Sequence, residues 1–167
     1  MRVLFLTLYP DCVASARYRV RQFIPFLNRA GISCTVAPCL SERQYKKAKS
    51  KGTPLGPARY HVMELAKRLV QLSSARQYDV TVVQKALLSV YLKGMLSLLK
   101  RNARRVIYDI DDAVHLASPN PMPRYWRFWE DKSQINKLFQ IADLVLAGNN
   151  WLREEARSHG ARAELFP

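Results

Sequence analysis

Three carboxylates, Asp109, Asp111 and Asp112, crowd into the stretch RRVIYDIDDAVH, residues 104–115. Arg105 to Asp109 have strong strand character and run straight into Asp111 and Asp112, and carboxylates are costly to bury without partners. The pattern predicts a strand that ends at the mouth of a pocket. In an open α/β sheet the ligand crevice lies beyond the carboxyl ends of the strands, so Asp111 and Asp112 are candidate catalytic residues and Asp109 a candidate binding residue. The competing reading is structural: acidic residues also cap helices and pair with arginine, which the chain holds in quantity.

A second group suits anions. Ser15 can cap a helix that carries Arg17, Arg19 and Arg21 near its start, and Arg17 and Arg21, four apart, share a face. Free backbone N–H groups, the positive helix end and guanidinium groups together fit a phosphate or sugar-phosphate. The alternative is that these arginines solvate the outer side of an amphipathic helix. No G-x-G-x-x-G follows the first apolar run, which disfavours a conventional dinucleotide site. Further along, Arg43, Lys46, Lys47, Lys49 and Lys51 lie in SERQYKKAKSKGTPLGP, a Gly- and Pro-broken segment that reads as a mobile loop able to dock on anionic headgroups, or as a solvated loop. In RYWRFWEDK, helical spacing turns Tyr125, Phe128 and Trp129 inward and points Trp126 elsewhere. Trp126 is therefore a candidate wall for a sugar or lipid acceptor, with core packing of the aromatic group as the default.

The elements that must position these residues alternate. Apolar runs of strand length occupy Val3–Tyr9, Ile32–Ala37, Asp79–Gln84, Arg105–Asp109, Asp143–Ala147 and Ala163–Phe166. Helical spacing fills the gaps: Ser15 to Gly31, kinked at Pro25; Ala58–Ser73, with Val62, Leu65, Ala66 and Leu69 on one face; Ala86–Lys100, with Leu88, Leu92, Met95, Leu96 and Leu99 inward; Arg124–Ile141; and Trp151 to Gly160. Strand–helix alternation predicts right-handed βαβ units in one domain over residues 1–167. The fold class is α/β: a Rossmann-like, doubly wound parallel sheet of about six strands with helices on both faces. Gln84 and Lys85 then end the third strand, and Gly148-Asn149-Asn150 is the turn that caps the helix starting at Trp151, so that Asn149 faces the same crevice as Asp111.

Composition sets outer bounds. One hundred and sixty-seven residues suit a single core, and the formal charge of +14 implies attraction to a polyanion: nucleic acid, an anionic membrane face or a phosphorylated ligand. Cys12, Cys34 and Cys39 are odd in number and lack C-x-x-C spacing, which indicates neither a disulfide framework nor zinc and fits a reducing cytoplasm. His61, His115 and His159 are scattered rather than clustered as ligands. Pro10 and Asp11 interrupt the first apolar run too early for a signal peptide, and no run reaches the ~18 apolar residues of a membrane span. Membrane contact would be peripheral, at the inner face.

In order and spacing, SARYRVRQFIPFLNRAGISCTV, DVTVVQKALL, VIYDIDDAV and ADLVLAGNNWL resemble the N-terminal half of the GT-B glycosyltransferases, in particular the family 4 group of retaining, nucleotide-sugar-dependent enzymes. The resemblance covers nearly the whole chain. It implies an acceptor-side domain, forming one wall of a cleft whose other wall grips the nucleotide-sugar. No such donor domain is present here, so on this resemblance the chain alone is not a complete catalyst. By position, Ser15 and Arg17 would approach the donor diphosphate or the acceptor, Gln84 and Lys85 would line the acceptor side, and Asp111, Asp112 and Asn149 would flank the reacting centre. Two departures stand out: DCVASAR replaces a Gly-rich turn, and Asp111-Asp112 replace a histidine found in many relatives.

The resemblance further implies a sugar donor as substrate, no cofactor and no metal, although Asp109-Ile110-Asp111 also spells the D-x-D motif of the other large glycosyltransferase fold. Two rivals remain: a non-catalytic domain that binds a polyanion, and one subunit of a two-chain transferase whose partner supplies the donor site. Nucleic acid is disfavoured, because the aromatics are not interleaved with the basic run and no reader motif is present.

Overall fold

The computed structural model describes residues 1–49, 56–113 and 124–167. Six strands form one all-parallel sheet: β1 (Arg2–Thr7), β2 (Ser33–Pro38), β3 (Val80–Gln84), β4 (Val106–Ile110), β5 (Leu144–Ala147) and β6 (Ala163–Leu165), in the order β2-β1-β3-β4-β5-β6. Their dense apolar runs are what a sheet covered on both faces requires. Chain direction across the sheet reverses between β1 and β3, and ligand crevices of doubly wound folds open at the carboxyl ends of such a pair.

Among the described residues seven α-helices accompany the sheet: α1 (Ala14–Arg19), α2 (Ile24–Arg29), α3 (Glu42–Lys49), α4 (Gly56–Ser74), α5 (Met95–Asn102), α6 (Gln134–Ile141) and α7 (Asn150–Ser158). Leu72 of α4, Leu99 of α5, Leu138 and Phe139 of α6 and Leu152 of α7 pack with Leu4, Leu6, Tyr108 and Val145 in one large core. On the opposite face Val20, Ile24 and Leu27 cover Val3, Phe5 and Val82.

Several elements differ from their predicted form. The first helix breaks at Val20, not at Pro25: a 3-10 turn, Arg21–Phe23, follows, and Pro25 opens α2, where its missing N–H and fixed φ cost nothing. Ser15 lies inside the first turn of α1, whose N-cap is Val13. The basic segment after β2 is helical as α3, with Ser41 and Gln44 closing a reciprocal cap. On α4 the buried face is His61, Glu64, Arg68 and Leu72, which leaves Val62 and Leu69 exposed.

The predicted helix from Ala86 begins only at Met95. Ala86 to Leu92 are all buried, so the segment has no polar side to offer water, and α4 satisfies its backbone instead. Arg68 Nε donates to the Leu87 carbonyl at 2.7 Å, and the Glu64 carboxylate accepts from Ser89 N–H at 2.8 Å and Ser89 Oγ at 2.5 Å. The predicted helix from Arg124 is a 3-10 turn, Arg124–Trp129, followed by a turn at Asp131–Ser133 before α6. Phe128 and Trp129 point outward there, not inward.

Candidate functional site

β3 ends at the reversal of chain direction, and its next residue is strained. Lys85 has φ 72°, the region in which a side-chain-bearing residue is rare. The Ala86 N–H donates across it to the Gln84 carbonyl at 3.0 Å, the bond of a three-residue γ-turn in its rare form. Such backbone costs about 1–3 kcal/mol and persists only where its surroundings over-determine it. Here they do. Lys85 N–H donates to the Asp109 carbonyl at 2.8 Å, and Tyr108 Oη donates to the Lys85 carbonyl at 2.9 Å.

The Lys85 side chain, 14% exposed, turns its Nζ to the Asp112 carboxylate, with Asp111 Oδ1 at 4.0 Å. Burial disfavours its charge, but the Asp112 hydrogen bond and the charges of Asp111 and Asp112 outweigh that and raise its pKa. The ammonium is thus held charged at the strand ends. Asp111 is set from behind: Gly148 N–H donates to the Ile110 carbonyl at 2.8 Å, and a Cβ on Gly148 would come within 3.0 Å of the Asp111 Cα. A side chain at 148 would crowd the Asp111 backbone, which glycine leaves clear.

In register across the sheet, Thr7, Gln84 and Asp109 form a polar row on the face that α1 covers. Asp109 anchors the fold. Arg19 Nε donates to its two oxygens at 3.1 and 3.3 Å, while Arg19 also binds the Phe166 carbonyl and lies 4.8 Å from the Phe166 ring centre. Burial pushes the Asp109 carboxyl up to about 6, against the opposing pull of Arg19. Gln84, fully buried, has neither side-chain atom in a hydrogen bond. Ser15 Oγ, Asp11 Oδ1 and Asp111 Oδ1 are likewise buried and accept or donate no hydrogen bond, Asp111 Oδ1 having only the Lys85 ammonium at 4.0 Å. These atoms belong to the strand ends and the segment following β1; a further one, Thr81 Oγ1, lies farther back along β3.

The structure sorts the predicted residues. Asp111, Asp112, Gln84 and Lys85 fall at the carboxyl ends of β3 and β4 or just beyond them, and Ser15 lies in the first turn of α1, the helix that follows β1. Arg17 instead donates to the carbonyls of Asp11 and Cys12 at 3.3 and 3.2 Å, and Arg21 pairs with Asp11 at 2.7 Å, so both shape the loop before α1. Asn149 is the N-cap of α7, accepting from Leu152 N–H at 2.9 Å. Arg43 and Lys46 line an open depression of about 510 Å³ with Ser41 and Glu42, and Lys46 pairs with Glu42 at 2.5 Å. Lys47 shares α3; Lys51 and the side chains of Lys49 and Trp126 lie outside the described residues.

Sequence reasoning gave Tyr108 no role, named Arg19 only as one of three anion-facing helix arginines and Gly148 only as part of a turn; what each does comes from what the fold brings opposite it. Among the described residues no three His, Cys, Asp or Glu side chains gather as a metal cage, and no helix is long and apolar enough to cross a membrane. Both carboxylates of the D-x-D motif face side-chain cations, Arg19 and Lys85.

Chemically, the strand ends offer an amide, a hydroxyl, two carboxylates and an ammonium. That mixed set matches a polyhydroxylated ligand, each of whose hydroxyls both donates and accepts. No protein-family model and no curated protein sequence matches the chain.

Proposed function

We propose that the chain is the acceptor-binding domain of a nucleotide-sugar-dependent glycosyltransferase of the GT-B type, working at the cytoplasmic side of a membrane on a glycan, lipid or other hydroxyl-bearing acceptor. One observation carries the reading: Gln84 and Asp111 atoms without hydrogen-bond partners and a strained, charged Lys85 sit together at the carboxyl ends of β3 and β4, where doubly wound sheets bind ligands. Polar groups buried without partners cost stability, and a ligand that supplies the partners recovers it. The Asp111 carboxylate would accept a hydrogen bond from the attacking acceptor hydroxyl and hold it in line, with Lys85 fixing the carboxylate and Gln84 and Ser15 gripping neighbouring hydroxyls. The sugar would pass from the nucleoside diphosphate to that hydroxyl, and the donor would be held by a second domain or a partner chain.

The test uses the native protein with whatever domain or partner accompanies it in its own cells. A panel of nucleotide-sugars is supplied with a cell-envelope extract, and nucleoside diphosphate release and labelled acceptor are measured together. Acceptor-dependent release is the expected result, lowered about tenfold or more by Asp111→Asn with an unchanged melting temperature. If no nucleotide-sugar gives acceptor-dependent release, the reading fails. Unchanged kinetics in Asp111→Asn would remove that residue from the site.

A further inference from the structure

Phe128 and Trp129 stand out from the surface, 79% and 59% exposed, on the 3-10 turn Arg124–Trp129. Their rings meet edge to face at 5.7 Å. Scattered exposed hydrophobic residues are ordinary, but two adjacent aromatics flanked by cations are not. Lys93 Nζ lies 5.2 Å from the Phe128 ring centre, and Arg124, Arg127 and Lys132, within five residues of the two rings in the chain, are all exposed. The nearby acids are quenched or turned in: Asp131 is held by Lys137 at 3.0 Å and by Ser133, and Glu130 is half-buried.

The ridge is also rigid. Lys93 N–H donates to the Trp129 carbonyl at 2.9 Å, Lys93 Nζ to the Phe128 carbonyl at 2.9 Å, and Asp131 N–H to the Tyr91 carbonyl at 2.7 Å. Leu92 and Glu130 form an antiparallel bridge. The aromatics are thus stapled to the buried segment that follows Lys85, and they stay presented.

We propose that this ridge docks on the surface of an anionic lipid bilayer. An aromatic ring with an apolar body and a polar edge settles at the headgroup boundary, where Trp is enriched. Cations beside it are attracted by anionic headgroups, and the chain's net charge of +14 adds to that attraction. The bilayer contact therefore belongs to Phe128, Trp129 and their four cations rather than to the basic segment after β2. Because α5 and α6 begin at the carboxyl end of the sheet, docking there brings the end that holds Lys85 and Asp111 toward the headgroups. The proposal stands whether or not the protein transfers a sugar.

Flotation of the chain with vesicles tests it directly. Vesicles of phosphatidylcholine mixed with phosphatidylglycerol should carry the protein and pure phosphatidylcholine should not, with binding weakened by salt. Phe128→Ser combined with Trp129→Ser should lower partitioning roughly tenfold, and Arg124→Ser combined with Arg127→Ser roughly thirtyfold. Both pairs are exposed, so melting temperatures should not move. Brominated lipid chains should quench tryptophan emission more in the wild type than in Trp129→Phe. Failure to float with phosphatidylglycerol, or equal flotation of the aromatic double variant, overturns the proposal. So does binding to a single-stranded oligonucleotide that needs Phe128 and Trp129 while vesicles are ignored, which would make the ridge a base-stacking platform.

Discussion

Helix α4 carries one buried polar cluster, the carboxyl ends of β3 and β4 carry another, and the two are built on opposite terms. Around α4, Arg68 donates to the carbonyls of Leu87, Ala37 and Thr7 at 2.7, 3.2 and 2.8 Å, to Gln71 Oε1 at 2.8 Å and to Cys39 Sγ at 2.5 Å. Glu64 takes both donors of Ser89. The Cys39 thiol, pushed up to about 12 chiefly by burial, stays neutral there. At the strand ends, by contrast, Gln84 and Asp111 keep atoms that make no hydrogen bond out of water, and Lys85 keeps a strained backbone. Satisfied polar burial fixes a shape; unsatisfied polar burial is retained where something else completes it. The first cluster holds the segment that the second cluster uses.

The largest effect expected from breaking this contrast lies in the clamp. Arg68→Met takes the guanidinium donor from the Leu87 and Ala37 carbonyls and leaves the Thr7 carbonyl with Cys39 N–H alone, all in a buried setting; a loss of about 3–5 kcal/mol in urea denaturation is expected. A loss under ~1 kcal/mol would show that packing alone holds the segment.

Asp109, in the same row as Gln84, gives the next effect. Its folded pKa of about 6 lies above its ordinary value of 3.8. Between those values the folded chain keeps a proton that the unfolded chain has released. This group's contribution is therefore most favourable below about pH 4 and falls by up to ~3 kcal/mol as pH rises through 6. Urea midpoints recorded from pH 4 to pH 7 should show that fall in the wild type and lack it in Asp109→Asn. Parallel profiles would mean that Arg19 holds the carboxylate ionised throughout.

The sequence carried the sheet because its strands are apolar runs and parallel strands buried on both faces look like that; it carried Asp111, Asp112, Lys85 and Gln84 because they close such runs. It did not carry the clamp, since Glu64 and Arg68 look like the solvent side of α4 when read by apolar periodicity, and only the backbone of 86–92 explains their burial. Nor did it carry the outward turn of Phe128 and Trp129, because a 3-10 turn stapled to Lys93 replaces the helix whose spacing turned them in. Arg17 was legible as a residue but not in role, since local hydrogen bonds that spacing does not reveal consume it; the turn at Gly148-Asn149-Asn150 was legible as a helix cap, and Asn149 is that cap.

Gln84 offers a test in which stability and function should part. Gln84→Met removes two buried unpaired polar atoms at nearly constant volume, so the free protein should gain about 1–3 kcal/mol against urea. Acceptor binding should weaken by roughly tenfold, the loss expected when hydrogen bonds to a ligand disappear. A variant that loses stability instead would place Gln84 with Arg68, among the groups the fold itself requires.

The smallest effect is the sharpest, because two substitutions at Lys85 separate strain from charge. Lys85→Ala removes the ammonium and keeps a side-chain-bearing residue at φ 72°. Lys85→Gly removes both. In ordinary backbone alanine is the more stable of the two by about 0.5–1 kcal/mol, because glycine loses more freedom on folding. At Lys85 the order should reverse, with glycine ahead by ~1 kcal/mol, since only glycine adopts that φ without cost. Losing the pair with Asp112 affects both variants equally and weighs little, as Asp112 is 64% exposed. Both variants should also lose turnover equally if the ammonium is what the crevice needs. Alanine matching glycine in stability would mean that the turn is unstrained, and glycine retaining turnover would mean that the turn, not the charge, is what the site requires.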